Sequence, residues 1–339
     1  MSAVRTRAVS AVVVRRPAPL GLLLLAVTAG LCLLGVAVGS LGWEPLWGGA
    51  GDASAAILWE IRLPRTLGAW FAGALLGLAG AVAQGLFRNP LADPYLLGSA
   101  TGAAFGVALL LVAIGASPLA AAGWGARLGL TGAAFLGAVL AVLVTLGLAQ
   151  GVQQTLRLLL AGVVVGMVFG ACSALLMFWV PDIMRAMQAF LLGTTGFLGW
   201  PSVALLGALF ALTTAAALAF SRALDALALG ETTAASLGVA LAPVRVVLIG
   251  VMALATGAAV AQVGLIAFIG LVAPHLVRAA VKPTHRWLLP LSALAGGVLL
   301  LAADVLARWL LAPRELPVGV LTAVLGGGYL LWLMHRRPP

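Results

Sequence analysis

Long apolar runs separated by short polar turns fill almost the whole chain. The runs are rich in Leu, Ala, Val and Gly and do not alternate apolar with polar positions, so they predict membrane-spanning helices and not the strands of a barrel. At about 20 residues per span, 339 residues accommodate roughly ten helices. The predicted spans are 20–39, 66–86, 95–115, 128–148, 157–179, 201–220, 246–262, 265–281, 289–311 and 316–334.

We therefore expect an all-α polytopic membrane protein, with one transmembrane domain over residues 1–339 and an N-terminal tail at 1–19. The division between the seventh and eighth spans is the least marked. No charged residue occurs from Val246 to Val277, which is too long for one helix across a core of ~30 Å. Only Gln262 and Gly264 indicate a turn there, and Pro274 is expected to break the eighth helix.

Composition and charge agree with a membrane protein. Apolar residues make up 63% and charged residues 8% of the chain, whereas soluble domains carry about 25% charged residues. The net charge of +10 comes from basic residues between the apolar runs, so the positive-inside rule accounts for it and nucleic acid is not indicated as a partner. This rule predicts a multi-pass protein of the cell inner membrane with both termini in the cytoplasm.

A short repeat relates two of the predicted spans. Ala-Val-Ala-Gln at 81–84 recurs at 259–262, and Arg65 and Arg245 precede the two copies at similar distances. The two spans run in opposite directions in the predicted topology, so the pattern indicates an inverted repeat, which is common in transporters.

The longest partly polar interruption, at 222–245, predicts two short helices on the cytoplasmic side. Leu224 and Leu227 have helical spacing before Gly230, and Glu231 opens a second helix that Gly238 closes. Two interpretations are open at this point: an interfacial loop on lipid headgroups, or a docking platform for a soluble partner.

Polar groups near the span ends have alternative interpretations too. Arg62, Arg65 and Arg308 are either interfacial anchors or guanidinium groups that receive carboxylates of a soluble protein. Asp304 lies four residues before Arg308 and is placed to neutralise it. The turn from Arg88 to Pro94 is either a well-made loop or a constriction at the inner mouth of a pathway.

A glycine stripe on the fifth span also has two interpretations, which are close helix packing and a helix that shifts during transport. Its members are Gly162, Gly166 and Gly170.

Enzymatic chemistry is not indicated. His275 and His285 suggest haem ligation, but His285 falls in a basic loop, and such pairs normally lie on facing helices within the membrane. The chain has no H-E-x-x-H motif and no Walker A motif. We expect no catalytic residue, no metal site and no cofactor bound by this chain.

Five stretches, taken in order, identify a resemblance. They are R-L-P-R at 62–65, Q-G-L-F-R-N-P-L-A-D-P-Y-L-L-G at 84–98, A-L-G-E-T-T-A-A-S-L-G-V at 228–239, A-F-I-G-L-V-A-P-H-L-V-R at 267–278, and A-D-V-L-A-R with E-L-P-V-G-V-L-T-A at 303–323. Together they resemble the FecCD-type permease subunits of ABC importers for iron–siderophores, haem and cobalamin. One departure is Gly-Gly-Gly-Tyr at 326–329, where the family commonly has a proline and a phenylalanine.

The resemblance implies a type II ABC importer permease fold. It implies two copies of this chain around a central path, two copies of a cytoplasmic ATP-binding subunit that carries the ATP, and a periplasmic or lipid-anchored binding protein. It places the cytoplasmic coupling helices at 222–239, the binding-protein contacts at Arg62, Arg65 and Arg308, and the inner gate near Asn89 and Leu91. The residues assigned to ATPase coupling are Leu227, Leu229, Gly230, Glu231, Thr232, Ser236, Leu237 and Gly238.

The expected function is that of a permease that imports a bulky metal chelate, either an iron–siderophore or haem. A cobalamin permease of the same family is the alternative. An ion-coupled secondary transporter is the rival of another class; it needs ionisable groups within the membrane, and Asp304 is the nearest candidate.

Overall fold

The computed structural model describes residues 16–39, 42–43, 52–115, 124–149 and 155–335. Most of the predicted N-terminal tail lies outside these ranges. Within them, eight helical segments are long and apolar enough to cross a membrane, and two apolar helices are shorter. The long helices are α1 (Pro17–Ala37), α3 (Leu63–Leu86), α5 (Trp124–Leu148), α6 (Thr155–Trp179), α8 (Trp200–Ala219), α11 (Leu241–Val263), α13 (His285–Trp309) and α14 (Val318–His335). The shorter ones are α4 (Ser99–Ala113) and α12 (Ile269–Val281).

Small elements connect these ten helices. A two-residue antiparallel pairing joins β1 (Val38–Gly39) to β2 (Gly42–Trp43). The remaining elements are α2 (Asp52–Ile57), a π-helical turn (Leu58–Arg62), 3-10 turns at Pro94–Leu97 and Pro181–Ile183, α7 (Met184–Leu192), α9 (Ser221–Ala228) and α10 (Glu231–Ser236). The ten predicted spans each correspond to one apolar helix, and the turn predicted at Gly264 ends α11, where this glycine has φ 72°.

Two local predictions were wrong. Arg62 and Arg65 do not precede the helix of the second span but lie within helical structure that continues from Asp52 to Leu86. A π-helical turn at Leu58–Arg62 directly precedes Pro64, and there the Leu63 N–H donates to the Leu58 carbonyl five residues back. Pro274 does not break α12.

The reason lies in the packing around Pro274. This residue removes the donor that the Gly270 carbonyl would otherwise receive four residues later. That carbonyl lies against Gly80 of α3, so closely that a Cβ there would overlap it. The helix therefore continues with its freed carbonyl packed on a neighbouring backbone.

α3 and α13 form the centre of the bundle and run antiparallel. His285 contacts Gly85 at one end of the pair, and Arg65 binds Asp304 at the other. Between these points, Gly73 and Gly77 lie against the backbone of Ser292 and Gly296, where a Cβ would collide with a carbonyl. Small residues thus let two buried helices approach closely, as in other membrane bundles.

α3 and α11 carry the two copies of the Ala-Val-Ala-Gln repeat and also run antiparallel. Arg88, next to the end of α3, and Arg245, near the start of α11, both contact Glu231. At the opposite end, the Val263 carbonyl of α11 accepts a hydrogen bond from Thr194 N, and the next residue, Thr195, binds Asp304 beside Arg65. The inverted orientation predicted from the repeat is confirmed. We refer below to the Glu231 end and the Asp304 end of the bundle.

α14 contains the Gly-Gly-Gly-Tyr departure and is continuous. Phe268 has a left-handed backbone, with φ 68°, and its side chain packs directly on Gly326, where any Cβ would clash. A glycine at this position is therefore required by the phenylalanine below it.

Candidate functional site

Two short helices project from the Glu231 end of the bundle. α9 and α10, with the turn after them, form what we call the paired-helix segment, residues 221–238. Gly230 (φ 115°) and Gly238 (φ 82°) adopt backbones that favour glycine, so the predicted helix boundaries are confirmed. Leu224 and Leu227 are buried against the bundle, whereas Leu229 is 68% and Leu237 63% exposed. The segment therefore packs on the bundle through one apolar face and exposes a second apolar face on its outer side.

The residues assigned to coupling fall into three groups. Gly230 and Glu231 are partly buried at the junction of the two helices. Leu229, Thr232, Ser236, Leu237 and Gly238 are exposed on the outer side of the segment. Leu227 is buried in the bundle, so in this structure it positions the segment and does not reach its surface.

Both acidic residues of the segment face the bundle. Asp225 Oδ1 accepts hydrogen bonds from the backbone N of His285, at 2.9 Å, and is 2.7 Å from its Nδ1. Glu231 Oε1 lies 2.6 Å from Arg245 Nη2 and 3.5 Å from Arg88 Nη2. Sequence reasoning did not pair these residues with the two carboxylates. The repeat offered one signal, because Arg245 precedes its second copy as Arg65 precedes the first.

The predicted gate loop connects α3 to α4 at the same end. Asn89 is exposed and its Oδ1 accepts a hydrogen bond from Leu91 N at 2.9 Å, while Leu91 is 56% exposed. Asp93 Oδ1 accepts from Tyr95 N at 2.8 Å, and burial raises the pKa of the Asp93 carboxyl to about 6. The side chains of Asn89 and Asp93 thus accept hydrogen bonds from the backbone of the loop itself.

Tyr95 connects this loop to an apolar cavity. Its hydroxyl donates to the Ile266 carbonyl at 3.1 Å, in the α11–α12 connection. The cavity, of about 320 Å³, is lined by Tyr95, Ala100, Leu191, Leu192, Leu265 and Val320, among others.

The glycine stripe of α6 packs along only part of its length. Gly162 lies against the Leu96 carbonyl, where a Cβ would collide, and Gly166 makes looser contact with Thr101. Gly170 has no atom within 4 Å of its Cβ position among the described residues. The structure brings Gly162, but not Gly170, to the gate-loop segment.

At the Asp304 end, the structure collects a buried ion cluster. Asp304 is fully buried, and its carboxylate accepts hydrogen bonds from Arg65 at 3.0 and 3.1 Å, from Arg308 Nη2 at 2.6 Å and from the Thr195 hydroxyl. Arg65 also binds Glu315, at 2.9 Å. Two guanidinium groups and two carboxylates balance each other, which is what burial of charge requires. The predicted pairing of Asp304 with Arg308 is confirmed.

Two of the three predicted docking arginines, Arg65 and Arg308, are buried in this cluster. Arg308 is 1% exposed and donates from Nη1 to the carbonyls of Gly35 and Val38, at 2.7 and 2.8 Å. Arg65 is 8% exposed. Arg62, the third, is partly buried and donates to the Val36 carbonyl at 3.3 Å. In this structure Arg65 and Arg308 hold α1, α3 and α13 together and present little accessible surface.

The two histidines considered for haem ligation lie in different surroundings. His285 is bound to Asp225, and the His275 ring meets Tyr329 edge-on at 5.9 Å. In the described ranges, no three His, Cys, Asp or Glu side chains converge to hold a metal ion.

Ten apolar helices, a paired-helix segment at one end and an apolar cavity beside the gate loop define a multi-pass membrane permease. The model of the FecCD transport family matches residues 22–336. This chain belongs to that family. It is therefore a transport permease of the inner membrane and not an enzyme.

Curated relatives agree over nearly the whole chain. The hemin transport system permease protein HmuU of Yersinia pestis is 40% identical over 321 residues, which is 93% of this chain and 94% of the relative. The vitamin B12 import system permease protein BtuC of Salmonella typhi is 43% identical over 284 residues, covering 82% and 83%.

Solved structures share the fold. An inward-facing metal-chelate type ABC transporter superposes with a TM-score of 0.84 at 28% identity, over 95% of this chain and all of the other. PsaBC from Streptococcus pneumoniae, at 15% identity, superposes with a TM-score of 0.54 over 80% of this chain and 91% of the other, which bears on the fold alone.

Proposed function

We propose that this chain is the transmembrane subunit of an ATP-driven importer that moves a bulky metal chelate from a binding protein across the inner membrane. The observation that carries the proposal is the paired-helix segment, which exposes Leu229 and Leu237 at one end of a FecCD-family bundle. Exposed leucines on two short helices suit the groove of a soluble protein, because burying them there removes apolar surface from water. This favours docking over a loop that merely rests on lipid.

The partners follow from this assignment. The paired-helix segment docks on a cytoplasmic ATP-binding subunit, which carries the ATP, and two such subunits serve two copies of this chain. The binding protein docks at the Asp304 end. That end faces the periplasm, and both termini lie in the cytoplasm.

Arg62 is the best placed of the predicted docking arginines. It is partly buried, with its Nη1 donating to the Val36 carbonyl, whereas Arg65 and Arg308 are only 8% and 1% exposed. Arg65 and Arg308 then contribute to docking indirectly, because they hold the start of α3, next to Arg62, in place.

The cargo is an iron chelate, with haem preferred and cobalamin as the alternative. The HmuU similarity extends over more of this chain than the BtuC similarity. The cavity beside Tyr95 is lined almost entirely by apolar side chains, which suits a path that must not hold a bulky chelate tightly. We expect no cofactor to be resident in this chain.

The test is uptake into proteoliposomes that contain this chain, its co-purified ATP-binding subunits and the binding protein of the same organism. Haemin, a ferric hydroxamate siderophore and cyanocobalamin are offered separately. We expect ATP-dependent accumulation of haemin above the other two. Accumulation of cyanocobalamin alone would transfer the assignment to a cobalamin permease, and no ATP-dependent uptake of any of the three would contradict the proposal.

An ion-coupled secondary transporter makes a different prediction in the same liposomes, since it would transport without ATP when a proton gradient is imposed. Its candidate carboxylate, Asp304, is bound by two guanidinium groups. This arrangement suits a fixed charge and not a site that takes up and releases an ion.

A further inference from the structure

Glu231 opens α10, the second helix of the paired-helix segment, and its carboxylate points back into the permease. One oxygen lies 2.6 Å from Arg245 and 3.5 Å from Arg88. The carboxylate is 31% exposed, so it sits at the base of the segment and not on the surface that carries Leu229 and Leu237. The family resemblance assigns Glu231 to ATPase coupling, but in this structure its carboxylate contacts residues of this chain.

The two arginines belong to different elements. Arg245 lies one turn into α11, and its side chain is 5% exposed. Arg88 lies two residues beyond α3, in a left-handed backbone with φ 50°, directly before the gate-loop residue Asn89. Glu231 therefore joins the base of α10 to both α11 and the start of the gate loop.

The two contacts differ in strength. A short pair with a buried guanidinium is costly to break, because the remaining charge would be left without compensation in a poorly solvated place. A pair at 3.5 Å whose arginine side chain is 43% exposed contributes little stability and is easily exchanged for water. We therefore expect the Glu231–Arg245 ion pair to be stable and the Glu231–Arg88 ion pair to break easily.

We propose that Glu231, Arg245 and Arg88 form the joint through which movement of the paired-helix segment reaches the inner gate. Arg245 fixes α10 to α11, so the two move as one body. Arg88 engages the same carboxylate when the gate loop is in the position seen here, and releases it when the loop moves. The three are positioning residues and do not contact cargo or ATP.

The other acidic residue of the paired-helix segment, Asp225, binds a different helix. Asp225 binds the first residue of α13 through His285, so α9 is attached to the central helix pair. Through their acidic residues, α9 therefore binds α13, and α10 binds α11 and the start of the gate loop. The proposal rests on the proposed function, because a gate has meaning only in a transporter.

The test measures haemin uptake and ATP hydrolysis together in the reconstituted complex. We expect Glu231→Arg and Arg245→Glu each to lower uptake per ATP hydrolysed by about tenfold, a typical size for coupling between two sites. The double variant Glu231→Arg with Arg245→Glu restores the pair with its charges exchanged and should recover most of the loss. Recovery separates a specific contact from general damage to the segment.

Arg88→Gln provides a milder variant, since Arg88 is exposed and its loss should not disturb folding. We expect it to reduce uptake per ATP by about two- to fivefold, in line with an exposed ion pair, while ATP-binding subunits still co-purify. Arg286→Gln is the matched control, because Arg286 is exposed at the start of α13 and makes no ion pair among the described residues. It should leave the ratio unchanged.

Two outcomes would overturn the joint: a normal ratio in Glu231→Arg, or a double variant no better than its worse single parent. Both are measured against an unmodified complex that transports. If that complex itself shows no ATP-driven uptake, the proposed function fails first and the joint falls with it, so the two failures are distinguishable.

Discussion

At the scale of single residues, the Asp304 cluster shows how this chain places charge inside a membrane bundle. One fully buried carboxylate is shared by Arg65 and Arg308, which reach it from α3 and from one turn along α13. Sequence spacing predicted the Asp304–Arg308 pair, because four residues make one helical turn. It could not predict Arg65 or Thr195 as partners, because those contacts join residues more than 100 positions apart and depend on how helices pack.

The cluster predicts a large effect of removing its central charge. In Asp304→Asn, two buried guanidinium groups would share one remaining carboxylate, so we expect a loss of about 3–5 kcal/mol in the free energy of unfolding. The measurement is the unfolding temperature of the purified permease in detergent. Glu315→Gln is the control, since its carboxylate is 30% exposed and an exposed pair contributes about 1 kcal/mol or less. Equal unfolding temperatures for the two variants would contradict a stabilising role for the buried cluster.

At the scale of helices, small residues determine which faces meet. Apolar run lengths predicted the eight helices long enough to cross a membrane, because the bilayer fixes how long such a helix must be, and they also located the shorter α4 and α12. They could not predict that α3 and α13 would lie at the centre, since every run is apolar on all sides. The central pair is chosen by shape, with glycines at 73, 77 and 296 removing side chains where the backbones cross.

The α3–α12 contact gives a sharp prediction at this scale. A Cβ added at Gly80 would overlap the Gly270 carbonyl, which is backbone and cannot turn away. We expect Gly80→Ala to destabilise the permease by about 1–3 kcal/mol or more, as overpacking does. Gly250→Ala is the matched control, because a Cβ there meets nothing within 4 Å among the described residues, and the better helix propensity of Ala adds up to about 1 kcal/mol. The measurement is the unfolding temperature of each variant in detergent, which should be lower for Gly80→Ala than for Gly250→Ala. A Gly80→Ala variant as stable as Gly250→Ala would contradict the close contact.

At the scale of the whole molecule, two different surfaces lie at opposite ends of one bundle. The Glu231 end carries exposed leucines on short helices, and the Asp304 end carries partly buried Arg62 above an ion cluster. The inverted repeat was visible in the sequence as a four-residue match with an arginine before each copy. The sequence match could not reveal the partners of these arginines. Each binds a glutamate from another part of the chain, Arg65 with Glu315 and Arg245 with Glu231.

The orientation of the bundle is the last prediction, and it decides which partner each end can meet. The excess of basic residues on one side predicts that the Glu231 end lies in the cytoplasm. Single cysteines at Leu237 and Phe197, both 63% exposed, test this in a background where Cys32 and Cys172 are replaced by Ala. Phe197 lies in the loop that carries Thr195, so it marks the Asp304 end.

A membrane-impermeant maleimide added to intact spheroplasts should label Phe197→Cys and leave Leu237→Cys unlabelled until the membrane is permeabilised. Labelling after permeabilisation is the control that the second cysteine is reactive. If Leu237→Cys reacted first from outside, the paired-helix segment would face away from every source of ATP, and Glu231 could not pass movement from an ATPase to the gate loop. Because the positive-inside rule, the assignment of partners and the proposed joint all require the same orientation, this one labelling pattern tests all three.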